Sequence, residues 1–124
     1  MGMSVHVVKN QERYGNASAF NWKYNDFADL LGVLGCEVNR GDNEYSERFE
    51  VLVKEYKTAM KLLKAYKKYG ECNKVWRLFE EYDADTDIEM YLVNLGGIDY
   101  VMGSMKDFFD ERDKGSEWIQ FVVW

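Results

Sequence analysis

Asp83, Asp85 and Asp87 stand at alternate positions in DADTDIEMYLVN (83–94). That is the spacing of the first ligands of an EF-hand calcium loop. The rest of the pattern does not follow. Position six is Ile88, where the sharp turn needs glycine, and position twelve is Asn94, where a bidentate Glu belongs. Thr86 and Glu89 instead match a capping box, a hydroxyl at the cap with a carboxylate three residues later. The expectation is a helix start and no metal site.

Other groups that could do chemistry are sparse. The single histidine, His6, lies between Val5 and Val7 and reads as a strand residue rather than a general base. Cys36 and Cys72 lack metal-ligand spacing and read as reduced, buried thiols. No GxSxG, P-loop or GxGxxG is present. The Gly96-Gly97 pair before a helix could hold a phosphate, but Asp99 puts negative charge in that first turn. The pairs Glu80/Glu81 and Asp110/Glu111 are neighbours in sequence and diverge around a helix. The reading leans away from an enzyme and calls for no cofactor. A carboxylate-based hydrolase is the remaining catalytic alternative, and it would require acids brought together from distant parts of the chain.

Charge is patterned more strongly. Lys54, Lys57, Lys61, Lys64 and Lys68 recur at alternating steps of three and four, the spacing of one helical face. They form a candidate interaction surface for an anionic partner, or a solvated face whose cations complement the end of the helix dipole. The stripe contains no Arg, so it is poorly suited to bidentate phosphate recognition. Residues 54–77 sum to about +6 and residues 80–113 to about -9. The acidic section packs beside the basic one or faces a basic partner as a mimic of nucleic acid. The net charge of -6 and pI near 4.8 disfavour direct binding to nucleic acid or to an anionic membrane.

The elements that must position these residues follow from apolar periodicity. SVHVV (4–8) reads as a strand. KNQERYGNAS (9–18) is polar, with a turn signal at Gly15-Asn16. Phe20, Tyr24, Phe27, Leu31 and Leu34 share a helical face, with Asn21 as cap and Gly35 as stop. Tyr45, Phe49, Leu52, Tyr56, Ala59, Leu63 and Tyr66 repeat in heptad fashion, which predicts a long central helix over 43–69 closed by Gly70. Further helices are expected over 71–82, from Thr86 to Leu95, and over 98–114.

The chain finishes on SEWIQFVVW, where six of the last seven residues are large and apolar. As a strand it places Trp118, Gln120, Val122 and Trp124 on one face and Ile119, Phe121 and Val123 on the other. A strand apolar on both faces asks for cover on both. It is therefore either core or an interface, and Trp118, Phe121 and Trp124 join the lysines as candidate interaction residues.

The expected architecture is one domain over residues 1–124, of α+β class and predominantly helical. Four to five helices surround the long central helix, and the N- and C-terminal strands pair in a small sheet. Two strands alone are marginal, so the CEV segment or a second copy of the chain would extend it. No apolar run approaches the ~20 residues of a membrane span, and MGMSVHVVKN lacks the basic start of an export signal, so a cytoplasmic location is expected. The functional expectation is a small acidic protein-interaction domain without catalytic activity. It self-associates as a homo-oligomer or binds another protein, with an acidic inhibitor of a nucleic-acid-processing protein as the alternative.

Overall fold

The computed structural model describes residues 4–10, 13–40, 47–69 and 84–123. Its elements are strands β1 (Val5–Asn10) and β2 (Arg13–Ala19), helix α1 (Tyr24–Val33), strands β3 (Asn39–Arg40) and β4 (Glu47–Leu52), helices α2 (Val53–Tyr69), α3 (Ala84–Leu95) and α4 (Ile98–Glu111), and strand β5 (Trp118–Val123). The class is α+β. The strands form one antiparallel sheet in the order β2-β1-β5-β4-β3.

The terminal strands pair as expected, with Val5 opposite Val123 and Val7 opposite Phe121. The sheet is larger than expected, and β5 is its centre. On its other side β5 pairs with β4, Phe121 opposite Phe49 and Ile119 opposite Val51. The central helix expected over 43–69 is therefore divided: Glu47–Leu52 is a strand and only Val53–Tyr69 is helical. The sequence ERFEVL supports both periods. Phe49 and Leu52 fit a helical seam, whereas Phe49 and Val51 alternate with Arg48 and Glu50 as in a strand. Pairing with β5 decides the matter, because it gives the backbone of β4 a hydrogen-bonded ladder and sets Phe49 and Val51 into the core. The strand stops where its partner does. Leu52 lies opposite Trp118, the first residue of β5, and Val53 N donates to Glu117 O (2.8 Å). Beyond that point the backbone satisfies its own hydrogen bonds as α2, about 25 Å long.

The polar segment after β1 is not a loop but β2, the third strand that neither CEV nor a second copy was needed to supply. Its partners on β1 run Tyr14 with Val8, then Ser18 with His6. Four steps on one strand match two on the other, so Gly15-Asn16 marks a bulge rather than a turn. Within it Ala17 N donates to Glu111 Oε2 of α4 (2.6 Å). That bond ties the edge strand to the helical layer.

Helix α1 ends at Gly35 as expected. Gly35 N donates to Gly32 O and Cys36 N to Leu31 O, with Gly35 at φ 97°. This is a Schellman closure, in which a left-handed residue redirects the chain. Its start differs. The cap is Lys23, without a side-chain bond, and Asn21 lies in the preceding turn. Helix α3 closes in the same way, with Gly97 N donating to Leu92 O at 2.7 Å. It begins at Ala84, so Thr86 sits inside it rather than at its cap. Helix α4 stops at Glu111, before the expected Lys114. Residues 43–46 of the expected central helix, Gly70 as its stop and the helix 71–82 with Cys72 lie outside the described residues.

The core lies between the sheet and the helices. Phe121 is its hub: its ring lies 5.0 Å from Phe49, 5.5 Å from Phe27 and Phe108, and 6.0 Å from Tyr56. These rings come from β4, α1, α4 and α2. Ile88, Leu92 and Leu95 of α3 join the same core. The Tyr56 hydroxyl, fully buried, donates to Met105 O (2.7 Å), which removes the penalty of an unpaired polar group there. Burial pushes its pKa well above the ordinary phenol value.

Candidate functional site

The described helices reach the sheet from one side. Residues facing the other way are Ser18, His6, Val122 and Arg48 in one row, Gln120, Glu50 and Asn39 in the next, and Trp118 with Leu52 beyond. The alternation of β4 and β5 places them there, since residues paired across an antiparallel ladder share a face. A shallow groove of about 260 Å³ crosses this face and is bordered by Val8, Arg48, Glu50, Gln120 and Val122. Val122 is buried yet is not part of the main core cluster.

The groove is mixed in character. Gln120 Nε2 donates to Glu50 Oε2 (3.3 Å), which orients the carboxylate, and Arg48 is exposed two residues away on the same strand face. Arg40, at the sheet edge, is held toward α1: its Nη1 donates to Asn25 Oδ1 (3.0 Å) and its Nη2 lies 3.5 Å from Asp29. His6 is half-buried, and desolvation lowers its pKa. Such an arrangement can hold a partner surface through apolar contact and paired charges.

Comparison with protein-family models, curated proteins and solved structures finds no match.

The candidate residues from the sequence divide into three groups. Trp118 lies on the uncovered face and is half-buried. Phe121 is fully buried at the centre of the core and offers no surface, because β5 alternates and Phe121 takes the inner side. Trp124 lies outside the described residues. Lys54, Lys57, Lys61, Lys64 and Lys68 are all exposed along α2, away from the sheet groove. The structure adds Arg48, Glu50, Gln120, Val122 and Val8, which sequence reasoning missed. The signal was the period-two alternation within ERFEVL, masked by an equally good helical one.

Chemical groups elsewhere are engaged locally. Cys36 is a buried free thiol whose pKa is pushed up to about 12, first by burial and then by the Glu55 charge. A thiol held protonated is a poor nucleophile. Asp85 and Asp87 fall within helix α3 and not in a loop. Among the described residues no three metal-ligating side chains gather. Within α4, Asp110 pairs with Lys106 at 3.0 Å; Asp99 pairs with Lys67 of α2. Glu89 accepts from the Tyr66 hydroxyl (2.5 Å). Part of the charge asymmetry along the chain is thus spent on contacts between the acidic helices and the basic one. No described helix is long and apolar enough to cross a membrane.

Proposed function

We propose that this chain is a small non-catalytic interaction domain that associates with a second copy of itself through the face of its sheet opposite the described helices. The carrying observation is that face: Trp118, Leu52, Val122 and Val8 lie on the side of the sheet opposite the described helices. Two sheets pack face to face about 10 Å apart when their inner side chains interdigitate. A two-fold interface must be self-complementary. Arg48 and Glu50, two residues apart on one strand face, meet that requirement, since each can oppose the other's counterpart across the axis. The cytoplasm is the proposed location.

Two observations favour binding over the alternatives. Among the described residues the sheet groove gathers one carboxylate, Glu50, whereas acid–base hydrolysis needs two groups in distinct roles. Asp99 and Asp110 are paired with this chain's own lysines, which suits a structural use of the acidic section better than display to a basic partner.

Sedimentation equilibrium tests the reading. The wild-type chain is expected to dimerise, Arg48→Glu to weaken the dimer about tenfold or more, and Arg48→Glu with Glu50→Arg to restore it. A wild-type chain that stays monomeric, or a dimer indifferent to these charges, removes the proposal.

A further inference from the structure

A second surface lies in the helical layer. Between α2 and α4 runs a cleft of about 350 Å³ with Leu63 and Met105 as its floor and Met60 and Met102 as its walls. Lys61, Lys64 and Lys106 border it. Leu63 and Met105 are fully buried, and the half-buried Met60 and Met102 supply the apolar surface that solvent reaches. Methionine side chains are flexible and polarisable, so they reshape around an apolar guest.

The lysines have no sufficient internal explanation. The helix dipole acts over the last turn, so it accounts for Lys67 and Lys68 and not for Lys61 or Lys64 in the middle of α2. Lys67 pairs with Asp99, and Lys106 pairs with Asp110 on the surface. Among the described residues neither Lys61 nor Lys64 has an acidic partner. Lys57 lies over the Phe109 ring at 5.6 Å, one turn further along the same stripe.

We infer that this cleft docks an acidic amphipathic helix of a protein partner. The partner's apolar residues at i and i+4 enter the methionine-lined cleft, and its flanking carboxylates meet Lys61, Lys64 and Lys106. The geometry selects this occupant over a small anionic amphiphile. Lysines spaced one turn apart along α2 present separated point charges, which match carboxylates spaced along a helix. A ligand with one anionic head would use only one of them. Among the described residues the border holds no arginine, which also disfavours phosphate, since phosphate favours a bidentate fork.

The test is fluorescence anisotropy with a labelled, stapled helical peptide carrying leucines along one face and glutamates beside them. The protein is the full chain bearing Arg48→Glu, so that loss of the sheet interface and loss of this site are distinguishable. Saturable binding that weakens with salt is expected. Lys61→Glu, Lys64→Glu and Lys106→Glu together are expected to weaken it roughly tenfold or more, and a peptide with lysines in place of glutamates to bind that variant instead. An unchanged melting temperature shows that the triple variant is folded, and Lys→Gln replacements at the same positions are expected to give a smaller loss in the same direction. The proposal is overturned by no saturable binding up to the solubility limit of the peptide. It is also overturned by equal affinity for a glutamine-substituted peptide, or by self-association that the same reversals abolish.

Discussion

Phe121 and Val122 are adjacent in the chain, both apolar and both buried, yet they belong to opposite sides of the sheet. Phe121 stands among four aromatic rings, those of Phe27, Phe49, Tyr56 and Phe108, supplied by α1, β4, α2 and α4. Val122 sits between His6 and Arg48 in a row that no described helix covers. The difference teaches that burial alone does not identify the core: alternation along β5 sends Phe121 toward the helices and Val122 to the other face of the sheet.

The largest effect should come from breaking the inner side. Phe121→Ala removes the ring shared by Phe27, Phe49, Tyr56 and Phe108 and is expected to cost about 3–5 kcal/mol in chemical denaturation. Trp118→Ala on the outer side should cost far less in stability while weakening self-association. Equal losses from the two would erase the distinction between the faces. Glu111→Ala tests the tie between the bulged edge strand and α4. Removing the acceptor of Ala17 N is expected to cost about 1–3 kcal/mol, with amide exchange rising first in β2. A uniform rise across the sheet would mean that the bulge is held by its neighbours instead.

The smallest effect concerns His6 on the outer side. Its pKa is lowered in the fold, so the unfolded chain binds the proton more readily. Stability from this group is fully present above the unfolded value near 6.5. It falls as pH drops through that value toward the lower folded one. Wild type is therefore expected to lose slightly more stability between neutral and mildly acidic pH than His6→Asn. Parallel pH profiles would place the imidazole in open solvent. In a Cys72→Ser background, alkylation of native Cys36 should be slow and should accelerate on unfolding, as a buried, protonated thiol requires.

Much of the layout was legible. The α1 face of Phe27 and Leu31, its stop at Gly35, the end of α3 at Leu95 and the pairing of the two terminal strands all followed from periodicity and glycine chemistry. The errors share one cause. In 47–52 the helical and strand periods both accommodate the apolar residues, and local pattern could not rank them. In 13–19 a polar sequence became a strand because β1 offered a ladder and Glu111 satisfied the N–H that the bulge left out of it.

The sequence by itself determined which residues seek burial, where glycine permits a helix to end, and that the final strand is apolar on both sides. Those are properties of side chains and of one residue's backbone freedom, and they act locally. Only the tertiary structure decided that β5 would be central, that β4 would leave the helix and join it, and that Arg48, Glu50 and Val122 would share an uncovered face. These outcomes depend on hydrogen bonds between segments distant in sequence, whose worth is set by the partner that arrives and not by the residues that wait for it.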